Sequence, residues 1–101
     1  MNEKREAHCP LERVKSLVKA GQVRTTYSAL AGASRLDFTL SEMYETVLAL
    51  TLTDFYKSMT TYADHKVWQD VYRPMTKAGR IYLKLTVVDD VLIVSFKELN
   101  E

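Results

Sequence analysis

The sequence predicts an α+β protein, with short N-terminal helices packed on one face of a C-terminal antiparallel β-sheet. Three observations carry this expectation. Apolar residues recur at helical spacing up to about residue 50 and at a spacing of two thereafter. Helix caps and stops fall in the first half of the chain. The second half is cut by turn residues into strand-length pieces joined by short connections, so consecutive strands form a meander. Such a layer arrangement covers one sheet face with helices and leaves the other open.

The chain has 101 residues, 47% hydrophobic and 27% charged, which suits one globular domain over residues 1–101 with a single core. Its apolar runs fall well short of the roughly 20 residues that cross a bilayer. Met1–Arg5 is charged and no apolar stretch follows it, so a secretory signal is not expected. With a single cysteine, Cys9, an internal disulfide and a four-cysteine metal site are excluded, and a reducing cytoplasm is the expected compartment.

Residues 1–9 are polar and read as frayed. Pro10 suits the first position of a helix whose apolar stripe is Leu11, Val14, Leu17 and Val18, with Gly21 placed for a left-handed stop. Gln22–Thr26 reads as a connector. In it, Arg24 is an exposed loop arginine or a phosphate ligand, and Thr25 or Thr26 caps a second short helix ending near Gly32. Leu36–Phe38 reads as an extended link. Thr39 and Glu42 form a capping box ahead of a third helix with Leu40, Met43, Tyr44, Val47 and Leu48 as its core stripe. Thr51 and Asp54 repeat the pattern for one further turn.

From Phe55 the period is two. Phe55, Lys57, Met59 and Thr61 share one predicted face, and Tyr56, Ser58, Thr60 and Tyr62 the other. Ala63–His65 turns the chain. Val67, Gln69, Val71 and Arg73 alternate with Trp68, Asp70 and Tyr72 until Pro74, and Met75–Gly79 reads as a loop. Arg80–Val87 places Ile81, Leu83, Leu85 and Val87 on an apolar face with Tyr82, Lys84 and Thr86 opposite. Asp89–Asp90 turns into Val91–Lys97, apolar on both faces like a central strand.

Several chemistries lack their residues. His8, Cys9 and His65 do not make a zinc set. No serine stands in a glycine-framed elbow. The three glycines are too scattered for a phosphate loop, and Asp89–Asp90 alternates across a turn. Net charge is +1, yet Phe55–Lys84 carries six basic residues, Lys57, Lys66, Arg73, Lys77, Arg80 and Lys84, against Asp64 and Asp70. Tyrosines and Trp68 are interleaved with them. Such a stripe fits RNA, whose phosphates need cations and whose unstacked bases need aromatic faces; it also fits a solvated sheet face with aromatic cross-strand pairs.

Lys57, Gln69 and Tyr82 lie mid-strand on three successive strands and Lys97 ends the fourth. Two accounts of them stand. Their stems snorkel from a polar outer face, or they form a phosphate site in which ammonium groups stabilise developing charge and a tyrosine hydroxyl moves a proton. Tyrosine, with a reference pKa of about 10, acts as a base only where neighbouring lysines favour its phenolate.

At these residues the chain resembles the MqsR family of motility quorum-sensing regulator toxins from bacterial type II toxin–antitoxin systems. The matching blocks are GQVRTT at 21–26, DFYKSMTTY at 54–62, WQDVYRP at 68–74, YLKLTV at 82–87 and DVLIVSFKE at 90–98; the resemblance is weaker between Tyr27 and Leu52 and in Met75–Arg80. It implies a RelE-like fold and ribosome-independent, metal-independent cleavage of messenger RNA at GC-containing triplets, chiefly GCU, with no cofactor. It also implies a cytoplasmic bacterial setting and a zinc-containing helix-turn-helix antitoxin through which alone operator DNA is bound. Growth arrest, biofilm formation and persistence are inherited expectations.

The family's catalytic positions fall on Lys57, Gln69, Tyr82 and Lys97. In the mechanism this implies, the ribose 2′-OH attacks the adjacent phosphate, Lys57 and Lys97 stabilise charge, Tyr82 transfers a proton and Gln69 positions phosphate or base. Arg73 and Lys84 are expected to hold flanking phosphates, and Tyr56, Met59 and Trp68 are candidates for base stacking or for the core. His65 is a rival acid. A non-catalytic RNA- or protein-binding module using the same face is the alternative.

Overall fold

The structure is a computed structural model that describes residues 1–100. Its elements are β1 (Glu3–Lys4), α1 (Leu11–Lys19), β2 (Val23–Thr25), α2 (Tyr27–Arg35), α3 (Leu40–Leu48), a 3-10 turn (Leu52–Asp54), β3 (Phe55–Thr60), β4 (Trp68–Tyr72), β5 (Met75–Thr76), β6 (Gly79–Val87) and β7 (Val91–Glu98). The fold is α+β, helices first and sheet after, as expected. The sheet runs β1-β3-β4-β6-β7-β2 with β5 paired to β6. Every pair is antiparallel except β2–β7.

The helices are built by local signals. Pro10 stands at the N-cap of α1 with φ −56° and ψ 136°, one position earlier than expected. Gly21, at φ 77°, closes α1 while the Gln22 N–H donates to Leu17 O at 2.9 Å. Thr26 caps α2, its Oγ1 accepting from the Ala29 N–H at 3.0 Å. The helix runs through Gly32 to Arg35, and Leu36–Phe38 is its closing turn rather than an extended link: Asp37 takes φ 62°, and the Phe38 N–H reaches Ala33 O at 2.9 Å. The capping box of α3 forms in both directions, Glu42 N–H to Thr39 Oγ1 at 3.1 Å and Thr39 N–H to Glu42 Oε1 at 2.9 Å. Met43 and Val47 are buried beneath it, whereas Leu40 points outward, 44% exposed.

Val14, Val18, Ala29, Ala33, Met43 and Val47 meet Tyr72, Ile81, Leu83, Leu85, Ile93 and Phe96 in one core. Each fully buried large apolar side chain contributes about 1.5–3 kcal/mol, enough to hold the helices on this face. Gly32 sets how closely they lie: a Cβ there would stand 2.1 Å from Phe96 O, so only glycine lets α2 pack on β7 at this point.

Two short strands depart from the sequence reading. Gln22–Thr26 is not only a connector; β2 lies parallel to β7, Val23 opposite Val91 and Thr25 opposite Ile93. Residues 1–9 are tied down rather than frayed. Glu3 pairs with Met59 and Lys4 with Ser58, and the Thr60 N–H donates to Asn2 O at 2.9 Å. The buried Asp70 carboxylate accepts the His8 and Cys9 N–H groups at 2.9 and 3.0 Å. Strands of two or three residues are too short to show a period, so their pairing depends on the neighbour that tertiary folding supplies.

A β-bulge corrects the predicted face of β3. Phe55 pairs with Tyr72 but Lys57 with Val71, leaving Tyr56 as the extra residue. Phe55 therefore turns inward, edge-on to Tyr72 with centroids 5.4 Å apart, while Lys57 and Met59 keep the open face. Met75–Gly79, expected as a loop, is a small hairpin with Met75 opposite Arg80 and Thr76 opposite Gly79.

Candidate active site

Strand register places Lys57, Gln69, Tyr82 and Lys97 on the face away from the helices. Core-facing rungs (Ser58–Asp70–Leu85 and Tyr72–Leu83–Phe96) alternate with outward ones. Three outward levels follow. Met59 stands opposite Gln69 and Glu3; Lys57, Val71, Lys84 and Ser95 form the next; Tyr82 pairs with Lys97 in the third, at the level of Arg73. Val71 is fully buried yet outside the helix-side core, so it is the apolar floor between Lys57 and Lys84. Gln69 is four residues, roughly 13 Å, along β4 from the Tyr82–Lys97 level. The face gathers the four residues, with Gln69 toward one end and the Tyr82–Lys97 pair toward the other.

Lys57 Nζ donates to Glu3 Oε2 at 2.5 Å, the two side chains being 17% and 44% exposed. This hydrogen bond is the main reason the Lys57 ammonium is held more firmly protonated than usual and the Glu3 carboxyl lies below the usual carboxylate range. Burial pushes the Tyr82 phenol up; Lys57 pulls the other way, and Tyr56 and Glu3 add to the rise. Desolvation thus outweighs Lys57, reversing the expectation that neighbouring lysines favour a phenolate. Burial, with Lys97 nearby, lowers the proton affinity of Lys84. Lys97 and Lys84 Nζ stand 5.5 and 6.0 Å from the Tyr82 ring centroid. The Tyr56 ring faces Arg73 at 3.8 Å, Lys57 at 5.4 Å and Arg5 at 5.7 Å, a cation cluster ordered around one aromatic.

Trp68 is not part of this face. It pairs with buried Thr60 on the helix side, stacks on His8 with centroids 5.5 Å apart and lies under Lys4 Nζ at 4.2 Å. His65 is exposed in the loop beyond the sheet edge. Arg24 is bound to Asp90 at 2.6 Å and takes no part in the site. Glu3 is the residue that sequence reasoning missed, and a two-residue strand leaves no periodic signal to find it. Asp70 did carry one, since a carboxylate alternating onto the core face must find N–H partners.

The site is a surface, not a cavity. The principal concavities are lined by residues such as Phe38, Glu42 and Lys77, or Arg73, Arg80 and Leu99, and not by Lys57, Gln69, Tyr82 or Lys97. Among the described residues no group of three or more His, Cys, Asp or Glu side chains could hold a metal ion, and no helix is long and apolar enough to cross a membrane.

A helix-backed sheet whose free face sets lysines and an arginine around tyrosines defines a small α+β protein with a cationic, aromatic surface. Residues 6–98 match the family described as "Motility quorum-sensing regulator, toxin of MqsA", and the chain belongs to that toxin family. It is 58% identical over 96 residues to the mRNA interferase toxin MqsR of Escherichia coli (strain K12), across 95% of this chain and 98% of that protein.

Proposed function

We propose that this protein is the endoribonuclease toxin of a type II toxin–antitoxin pair. It cuts messenger RNA without ribosome or metal at GC-containing triplets, chiefly GCU, and so arrests translation in the bacterial cytoplasm. Residues 1–101 act as one domain. A zinc-containing helix-turn-helix antitoxin neutralises it and alone carries the pair's affinity for operator DNA. Family membership and the relative's name support the activity; the observation that carries the mechanism is the open sheet face with Lys57, Tyr82 and Lys97 around a dry Val71 floor.

The 2′-OH attacks the adjacent phosphorus, giving a 2′,3′-cyclic phosphate and a 5′-OH. Lys57 and Lys97 stabilise the charge gathering on the phosphoryl oxygens. Tyr82, kept in its phenol form by burial, protonates the leaving 5′-oxygen. Arg73 and Lys84 hold flanking phosphates, with the Arg73 plane steadied on Tyr56. Gln69 and Met59, two levels from Tyr82, receive a neighbouring base, by hydrogen bonds and apolar contact respectively.

The test is purified protein on a GCU-containing RNA in EDTA, with ends mapped by primer extension. Discrete cuts are expected, and Lys57→Ala should abolish them while the circular dichroism spectrum is unchanged. Binding without cutting would overturn the nuclease in favour of a non-catalytic module.

A further inference from the structure

The reaction above names an acid and two electrophilic ammonium groups but no acceptor for the 2′-OH proton. Tyr82 and Lys57 are poor acceptors, since burial holds the first protonated and Glu3 the second. Of the strand residues that register places on this face, Glu3 is the one acid. It lies outside the residues 6–98 matched by the family, and it is placed by means other than its own side chain: β1 is pinned to β3 through Asn2 and Thr60 and the following chain to Asp70.

Resting on the nuclease reading, we propose that Glu3 is the general base that takes the 2′-OH proton while Lys57 binds the phosphate beside it. Its carboxylate touches Lys57 Nζ at 2.5 Å, so a phosphate oxygen taking up that ammonium brings the neighbouring ribose to the same carboxylate. The exchange also tunes the base. Free of substrate, Lys57 from β3, with Arg5 and the chain's amino terminus from its own segment, keeps Glu3 ionised. Once Lys57 turns to the phosphate, the carboxylate is left beside negative charge and its proton affinity rises.

The step balances. The 2′-O–H proton passes to Glu3, the 2′-O–P bond forms, the P–5′-O bond breaks and the Tyr82 phenol proton goes to the 5′-oxygen. Protonated Glu3 and the Tyr82 phenolate are reset by exchange with water. Lys84 is the rival base, because burial and Lys97 weaken its hold on its proton.

The experiment measures single-turnover cleavage of the GCU-containing RNA across pH 4–10 for the parent, Glu3→Gln and Glu3→Asp. Binding of the same RNA with 2′-deoxyribose at the cleavage site is measured alongside. Glu3→Gln is expected to lose about 100-fold or more in rate, to bind the deoxy analogue at least as tightly and to lose the acid limb of the pH profile; Glu3→Asp should keep that limb with an intermediate rate. A Glu3→Gln rate at or above the parent's overturns the proposal, since Glu3 then merely shields Lys57. Loss of rate and binding together also overturns it, as does an acid limb that persists without the carboxylate, which passes the role to Lys84. A parent that does not cleave removes the whole reaction; a cleaving parent beside an unimpaired Glu3→Gln removes Glu3 alone.

Discussion

Tyr82 stands where burial and positive charge oppose each other, and burial prevails. The acid role proposed for it requires the protonated form, so activity should persist to a pH above the ordinary phenol value of about 10 before falling. The same sign governs stability. The folded state holds the proton more tightly than the unfolded chain, so that stabilisation is full below about pH 10 and is lost as pH rises through the folded value. Tyr72, deeply buried and pushed up by desolvation, contributes in the same direction. Tyr82→Phe should cost about 100- to 10,000-fold in cleavage with RNA binding retained, checked by single-turnover rates and filter binding. Full activity in that variant removes Tyr82 from the chemistry. The types and approximate positions of these side chains are legible in sequence; the balance between burial and charge is not, because it depends on strands far apart in the chain.

At the scale of elements, the contact of α2 with β7 holds Lys97 in place. Gly32 meets the Phe96 carbonyl where a Cβ would be 2.1 Å away, one residue from Lys97. Gly32→Ala should therefore lower stability by about 2 kcal/mol or more through overpacking, and reduce cleavage by displacing β7. Gly21→Ala, at φ 77° with open space around it, is the control: only backbone strain of about 1–2 kcal/mol applies, and the activity of the folded fraction should match the parent's. Urea unfolding with parallel rate measurements separates the two. Glycine commonly ends a helix, which is how Gly32 reads in sequence; its use as a packing notch depends on β7, a strand distant in the chain. The Tyr56 bulge was equally hidden. Strict alternation put Phe55 beside Lys57, and only pairing with Tyr72 and Val71 sends them to opposite faces.

For the whole molecule, a net charge of +1 conceals a cationic face because most acids lie away from it: of the strand residues that register places there, Glu3 is the one acid. If Lys57, Arg73, Lys84 and Lys97 contact four phosphates, the logarithm of RNA affinity should fall with the logarithm of salt at a slope near about −3, and Arg73→Ala should reduce its magnitude by about 0.7. Fluorescence anisotropy over a salt series, using the 2′-deoxy analogue to prevent cutting, measures both. A slope near zero would mean that this face does not take the RNA backbone.

The sequence by itself determined the α+β class, the capped helices and the strand alternation of β4 and β6, because caps and periodicity are local properties of adjacent residues. It also determined that Lys57, Gln69 and Tyr82 lie mid-strand and that metal-ligand and nucleophile inventories are thin. Only the tertiary structure decided that Gln69 sits two levels from Tyr82, that Trp68 belongs to the helix side, and that Asp70 anchors the first nine residues. It decided too that Glu3 meets Lys57, since residues 54 positions apart come together only through strand pairing and the folding that drives it.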